Sequence, residues 1–361
     1  MDMDGFLASA EELLAIQSTA DRGDDLAGAL EFVLDVVGPG FTVDRFESGG
    51  RPSALVYRGE RRHFRVILNG HLDVVPATPE QFRPRREGDR LYARGAQDMK
   101  LSALVQAMAF RDAASQVPVA LQLVTDEEIG GHDGTAHQLA QGVTSDFVVI
   151  GEYSGLRMVV ESKGLLTARV RATGLAAHSA YQWLGDNAVL KLMRAVDGIL
   201  ASYPVATEEV WRTTVNVARI ETGPGAVNQV PAEATAWLDI RFTPGDRDFA
   251  DRAPAEVAAH LTALCPPGVT VEVDRVEPPH HADPDSPDVT ALRRAAQNQG
   301  YTSDFLRKHG AADARFYHQR GTDAVIFGIG GDGQHGPSEY ADLTTVEPYY
   351  RALVEFLTDL R

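Results

Sequence analysis

The chain has 361 residues, 44% of them apolar, with 51 acidic against 34 basic side chains and a net charge of −17. That length suggests two domains around a sizeable apolar core, and the acidic balance argues against nucleic acid or an anionic membrane as partner, since each needs a basic face. The one cysteine, Cys265, excludes an internal disulfide and a zinc–thiolate cage, so any metal must be held by His, Asp and Glu.

The opening Met-Asp-Met-Asp-Gly lacks the basic and apolar regions of a signal peptide. No apolar run approaches the roughly 20 residues of a membrane span, and a cytoplasmic protein is expected. From Gly5 to Val37, apolar residues at helical spacing (Leu13, Leu14, Leu26, Leu30, Val33, Val37) predict two amphipathic helices. Phe64–Leu68, Val117–Val124, Phe147–Ile150 and Ala324–Phe327 are short apolar runs that each end at a turn or a polar residue, the pattern of buried strands. The Ala-, Leu- and Met-rich stretch Leu101–Phe110 between the first two predicts a helix. Strands alternating with helices predict an α/β domain with a mainly parallel sheet.

The middle of the chain reads differently. Strands are expected at Leu165–Ala172, Thr213–Ile220, Ala232–Phe242 and Val269–Val276. Helices are expected at Asp186–Leu200, with Asp186 as N-cap, and at Asp248–Leu264. The order β-α-β-β-α-β is the ferredoxin-like arrangement. The expected organisation is therefore an α/β domain over residues 1–162 and 277–361, with an α+β domain inserted at 163–276.

Polar residues collect after the strands of the first domain. Leu68 is followed by Asn-Gly-His71-Leu-Asp73, Val124 by Thr-Asp126-Glu127-Glu128, and Ile150 by Gly-Glu152; His335 follows Phe327 past a glycine-rich loop, and Asp98 precedes the predicted helix. Ligands of open α/β sheets bind beyond the carboxyl ends of the strands. Each motif alone is more ordinary: a structural histidine, a solvated acidic turn. Four strand ends agreeing is not. Imidazoles and carboxylates suit Zn²⁺, Co²⁺ or Mn²⁺, and two His with three carboxylates exceed the needs of one tetrahedral zinc. They suffice for two ions sharing a bridging carboxylate, a site that activates water and polarises a carbonyl for amide hydrolysis.

Gly70-His71-Leu-Asp73-Val-Val-Pro76, Arg94-Gly-Ala-Gln-Asp98-Met-Lys100, Thr125-Asp-Glu-Glu128, Gly151-Glu152 and His335-Gly-Pro-Ser-Glu339 resemble the M20 metallopeptidase family, which includes acetylornithine deacetylases, desuccinylases, aminoacylases and carboxypeptidases. The resemblance runs nearly the whole chain. It implies that His71, Asp98 and Glu152 hold one metal, and that Asp98 bridges to a second held by Glu128 and His335. Asp73 would orient His71, and Glu127 would be the general base. The inserted domain would serve as a lid and dimerisation domain of a homodimer. Ala177-His178-Ser179-Ala180 resembles the family motif whose histidine stabilises the scissile carbonyl oxygen, often from the other subunit. Asn228 and Arg241, with Asp313 and Arg315, fall in segments that resemble substrate-contacting ones, and a guanidinium fork suits a carboxylate.

The implied activity is hydrolysis of an N-acyl amino acid, deacetylase- or desuccinylase-like, with two divalent ions, zinc foremost and cobalt or manganese as alternatives. A di- or exopeptidase on the same metals is the second reading, and a non-catalytic amino-acid-binding relative a third. Leu101 stands where the family usually has Gly, and Tyr153-Ser154 where it often has Pro-Thr. Tyr181-Gln-Trp183 follows His178 where a Pro is common. None of these departures removes a ligand.

Overall fold

The computed structural model describes residues 1–60, 62–114, 117–223, 225–302 and 304–360. The chain divides into two units: one of residues 1–160, 281–307 and 312–361, the other of residues 161–280 and 308–311.

The first unit is built on a sheet whose strands run in the order Thr42–Ser48, Arg51–Tyr57, Val119–Val124, His63–His71, Thr144–Ile150, Asp323–Ile326 and Met158–Ser162. The four strands from Val119–Val124 to Asp323–Ile326 are mutually parallel, and their neighbours on either side are antiparallel. These four contain the apolar runs of the sequence, as strands covered on both faces should. In His63–His71, Val66 and Leu68 enter one core layer and Ile67 the other, following the two-residue pleat. Helices Met3–Ala15, Gly23–Val37, Lys100–Ala113, Pro287–Asn298 and Val346–Asp359 contribute to the first layer. The short helix Ala314–His318 and Leu139, from helix Thr135–Ala140, lie in the second.

Helix Lys100–Ala113 sits close against the ends of the central strands. A Cβ on Gly70 would lie 2.9 Å from Ala103 Cβ, and one on Gly151 2.7 Å from Met99 Cε. These glycines are there for close approach, not for an unusual backbone angle. Lys100 is buried, and its ammonium donates to the carbonyls of Leu13 (3.2 Å) and Ile16 (2.7 Å) at the end of the first helix. It thereby adds a charged donor to carbonyls at the C-terminal, negative end of the helix. Burial pulls its pKa down to about 7, against the opposing pull of Asp73 and Glu339.

The second unit is a four-stranded antiparallel sheet in the order Thr214–Thr222, Glu233–Phe242, Gly164–Thr173, Val269–Glu277. Helices Ala188–Ser202 and Pro254–Ala263 pack on it through Leu192, Ala195, Ile199, Val257 and Leu261. In chain order this is β-α-β-β-α-β.

Several local expectations are revised. The helix expected from Asp186 begins at Ala188. Asn187 is its N-cap, its side chain accepting from the amides of Val189 (3.0 Å) and Leu190 (3.2 Å), while Asp186 pairs with Lys191. The helix expected from Asp248 begins only at Pro254, where the missing N–H costs nothing and Glu256 accepts from the amide of Ala253 at 2.9 Å. The antiparallel hairpin Thr42–Ser48/Arg51–Tyr57, turning at Gly49 and Gly50 with φ of 55° and 74°, was not anticipated, nor were helices Pro287–Asn298 and Val346–Asp359. Among the described residues no helix is long and apolar enough to cross a membrane.

The revised cap is open to measurement. Asn187→Ala is expected to cost about 1 kcal/mol in denaturant unfolding and Asp186→Ala only a few tenths. The reverse order would restore Asp186 as the cap.

Candidate metal centre

The parallel strands deliver their C-terminal ends to one place. His71 is the last residue of its strand and lies opposite Val124 in register. Glu127 and Glu128 open the short 3₁₀ turn Glu127–Ile129, just beyond Val119–Val124. Glu152 lies two residues past Ile150. Asp98 precedes helix Lys100–Ala113, and the Asp98–Met99 peptide is cis. His335 closes a glycine-rich loop with a left-handed backbone, φ 57°.

Six side chains meet there. The His71 ring faces the carbonyl oxygen of Asp73 through Nδ1 at 3.0 Å, which leaves Nε2 facing Asp98 Oδ1 at 3.1 Å and Glu152 Oε1 at 3.6 Å. The other oxygen of Asp98 lies 3.4 Å from His335 Nε2, which also lies 3.1 Å from Glu128 Oε1. Asp98 therefore stands between the two histidines, one oxygen to each. Ligand atoms converge in two groups, His71 with Glu127 and Glu152, and Asp98 with Glu128 and His335, each within 4.8 Å.

The electrostatics of this cluster call for cations. Burial raises Glu127 well above the usual carboxylate range, and Glu152 raises it further. Burial likewise raises Glu128, against the opposing hydrogen bond of His335. Burial acts to lower the pKa of His71, but Asp73, Asp98 and Glu152 overcome it and leave it raised. Asp98 and Glu128 push His335 up to about 10. Clustered carboxylates that raise one another's pKa, each beside an imidazole nitrogen, form a donor set that fits divalent transition metals. The oxygen and nitrogen donors are numerous enough for two.

Polar residues around the ligands hold this cluster in place; Asp73 was expected among them, Glu339, Arg94 and Gln81 were not. The carboxylate of Asp73 lies 3.4 Å from His71 Nδ1, farther than its own backbone carbonyl. It accepts from the amides of Glu127 (3.2 Å) and Glu128 (2.9 Å). Asp73 thus fixes both the histidine and the turn that carries the two glutamates. Glu339 accepts from the amides of Gln97 (3.0 Å) and Asp98 (3.1 Å) and pairs, buried, with Arg94. Arg94 also donates to the Gly336 carbonyl at 3.1 Å, as does Gln81 at 3.0 Å. The loops of Asp98 and His335 are therefore tied by partners some 240 residues apart, a pairing no local pattern reveals. The visible hint was a charged residue at each end of a motif.

Asp313 and Arg315, expected to touch substrate, are both buried in this unit. Asp313 Oδ2 accepts from Thr135 Oγ1 at 2.5 Å, and Arg315 donates to the Gly130 carbonyl at 2.6 Å. Burial raises Asp313 to about 7, against the opposing charge of Arg315. A Cβ on Gly131 would lie 2.2 Å from Asp313 Oδ1, so only glycine fits beside that carboxylate. Through these two bonds Asp313 and Arg315 pack against the loop that follows Glu127 and Glu128, while the buried Asp313 Oδ1 has no hydrogen-bond partner among the described residues.

The remaining expected residues belong to the second unit. Ala177–His178 pairs with Gln229–Val230 as a short antiparallel ribbon, and the Asn228 carbonyl accepts from the Ser179 amide at 2.9 Å. His178 and Asn228, fifty residues apart, are thus neighbours. His178 Nδ1 accepts from the Ala180 amide at 3.1 Å, which puts the proton of the neutral ring on Nε2 and leaves that atom a donor. Arg241 is held by Asp239 at 2.8 Å.

Comparison with known proteins agrees with this arrangement. Residues 67–359 match the profile of peptidase family M20/M25/M40. The chain is 30% identical over 369 residues to a succinyl-diaminopimelate desuccinylase of Acidiphilium cryptum, covering 96% of this chain and 95% of that protein. It is 31% identical over 379 residues to the protein of the same name from Gluconobacter oxydans, covering 97% and 96%. Among solved structures it is similar to the aminopeptidase PepT of Bacillus cereus, with TM-score 0.79, 16% identity and coverage of 100% and 99%. It is similar also to a dinuclear metal binding peptidase of Bacillus subtilis, with TM-score 0.72, 13% identity and coverage of 100% and 99%. At those identities the structural likeness bears on the fold alone, and the fold, the site and the sequence match converge: the chain belongs to peptidase family M20/M25/M40 and is a metal-dependent hydrolase.

Proposed function

We propose that this chain removes the acyl group from an N-acyl amino acid, as a desuccinylase-like amidohydrolase with two divalent ions. The observation that carries this reading is Asp98, set with one oxygen towards His71 and the other towards His335. That placement suits a bridging ligand. His71, Asp98 and Glu152 would then hold one ion, and Asp98, Glu128 and His335 the other, with zinc the preferred metal and cobalt or manganese able to replace it. When bound, such ions polarise the scissile carbonyl and lower the pKa of water.

With Asp98 as bridge, Glu127 is the carboxylate left over for proton transfer. In this reading Glu127 takes a proton from the attacking water as its oxygen bonds to the carbonyl carbon. It then returns the proton to the amide nitrogen as the C–N bond breaks, so that a carboxylic acid and a free amine leave. His178, with its proton on Nε2, is suited to donate a hydrogen bond to the carbonyl oxygen as negative charge develops. Asp313 and Arg315 act here through the glutamate turn.

The lid unit supports an anionic acyl group. Arg241 sits at one end of its sheet, opposite Thr214 on one neighbouring strand and Leu165 on the other, so Arg212 and Lys163 lie just beyond the same end. The Lys163 side chain is 1% exposed, and its ammonium meets the Trp211 ring at 5.6 Å. Among the described residues it has no acidic partner, and burial, then Arg212 and Arg241, lower its pKa. A cationic group so placed is stabilised by a substrate carboxylate; Asn228, beside His178 at the opposite end of the sheet, would instead be a polar contact next to His178. A carboxylate on the acyl arm, such as that of succinyl, meets this requirement, as does the α-carboxylate of a dipeptide or N-acyl amino acid; the desuccinylase-like reading assigns it to the acyl arm, in keeping with the desuccinylase relatives.

We propose further that lid units pair in a homodimer. Trp183 is 77% exposed on this unit, beside exposed Tyr181 and Leu184, more apolar surface than a solitary unit ordinarily leaves in water.

Three measurements test this. Glu127→Gln is expected to lower kcat on an N-succinyl amino acid by about 10²–10⁴-fold while elemental analysis still finds two ions per chain; loss of the ions with the activity would make Glu127 a ligand instead. Arg241→Ala is expected to raise KM about tenfold or more for N-succinyl substrates, the loss of one charge-assisted contact, and to leave N-acetyl substrates unaffected; an equal effect on both would remove the anionic acyl site. Equal mixing of Glu127→Gln and His178→Ala chains, each nearly inactive alone, is expected to restore about a quarter of wild-type activity if His178 acts across a two-fold dimer. No recovery after subunit exchange would place His178 in its own chain's site.

A further inference from the structure

His335 is the least supported of the metal-centre residues. Its side chain is half exposed, its backbone is left-handed, and it ends a loop containing Gly328, Gly330, Gly331 and Gly333. Such a loop keeps much backbone freedom, so the position of His335 depends on what ties the loop down. On the far side the ties are those of Gln81 and Arg94 to the Gly336 carbonyl.

On the near side the start of the loop is held by Ser102, Gly155, Leu156 and Thr345 and by the pairing of Gly330–Asp332 with Tyr340–Asp342, and the two residues after Glu152 add a tie at each end. Ser154 bonds to the start of the loop. Its hydroxyl accepts from the Gly328 amide at 3.1 Å, and its own amide donates to the Ile329 carbonyl at 3.1 Å. Tyr153 bonds to the end of the loop, where its phenol oxygen accepts from Gln334 Nε2 at 2.7 Å. The strand end that carries Glu152 thus brackets the loop that carries His335. Glu152 and His335 stand on opposite sides of Asp98.

The geometry points to Tyr153 as a positioning residue of the metal centre: its hydrogen bond to Gln334 clasps the His335 loop to the Glu152 strand and so sets the affinity of the site built from Asp98, Glu128 and His335. A proline at position 153, the more usual residue of the resembling motif, has no hydroxyl and could not make this bond. The clasp is therefore a feature of this chain's own sequence. The proposal rests on the two-ion reading above. Loss of partners that orient a ligand typically weakens metal binding by about 10–100-fold. A single bond to a half-exposed phenol belongs at the low end of that range.

The test uses the full chain stripped of metal and titrated with Co²⁺, followed by calorimetry and by visible absorption, for the wild type, Tyr153→Phe, Gln334→Ala and the double variant. Tyr153→Phe removes one oxygen and keeps the ring. The expected result is that one of two binding events weakens about tenfold, while the other and the metal-free Tm stay at wild-type values. Gln334→Ala should do the same, and the double variant should be no worse than either single one, because all three break one bond. The proposal is overturned if Tyr153→Phe binds both ions as the wild type does. It is equally overturned if both events weaken together with a lower metal-free Tm, which is what a packing role predicts, or if the two single effects add. A wild-type chain that takes up fewer than two ions would overturn the two-ion reading itself, and the clasp with it.

Discussion

Everything in the catalytic unit answers to one electrostatic constraint, the gathering of four carboxylates and two imidazoles at the end of a parallel sheet. Carboxylates brought this close, with little water, are costly to keep charged: burial first, and then the neighbouring carboxylates, raise the pKa of Glu127 and Glu128. Neutralising them with lysines or arginines would fill the site and leave nothing to react. Divalent cations neutralise the same charge in less space and bring chemistry with them. The sheet supplies what that solution needs: four strands ending side by side, so that side chains distant in sequence arrive with their ligand atoms a few ångströms apart.

Holding such a cluster takes a second tier of polar residues, and here Asp73, Glu339 and Arg94 are buried along with most of the ligands. Asp73 has no exposed surface and fixes a histidine and two backbone amides at once. Glu339 and Arg94 join the two loops that carry Asp98 and His335. Lys100, which looks like part of the site in the motif, instead serves the end of the first helix. Asp313 and Arg315 likewise belong to the frame. A charged residue within a catalytic motif can thus act by spending its bonds on the backbone of its neighbours.

The second unit poses a complementary electrostatic problem. At one end of its sheet three cationic residues, Lys163, Arg212 and Arg241, gather with Asp239 bonded to Arg241. The metal centre is acidic and this strand end is basic. An amide substrate with a carboxylate on its acyl arm carries groups suited to each. Within the same unit, the ribbon joining His178 to the Asn228–Val230 segment shows how a polar residue of no obvious importance in sequence acquires a fixed tautomer from one backbone amide.

The sequence by itself determined the kind of fold and the kind of chemistry. Apolar runs that end in His, Asp or Glu at Leu68, Val124 and Ile150 are legible because a strand buried on both faces must be apolar throughout, and a ligand must follow it where the sheet opens to solvent. The β-α-β-β-α-β order of the insert is legible because alternation and helical spacing are local. Boundaries set by single hydrogen bonds were less so: Asn187 displaced Asp186 as a cap, and Pro254 delayed a helix expected from Asp248. The Thr42–Ser48/Arg51–Tyr57 hairpin carried a readable Gly-Gly turn but no strong alternation. What only the tertiary structure decided was which residue partners which: Asp98 between two histidines, Arg94 with Glu339, Tyr153 with Gln334, Asp313 with Thr135. These bonds join segments up to some 240 residues apart, and their existence depends on the path of the whole chain, which no short stretch of sequence contains.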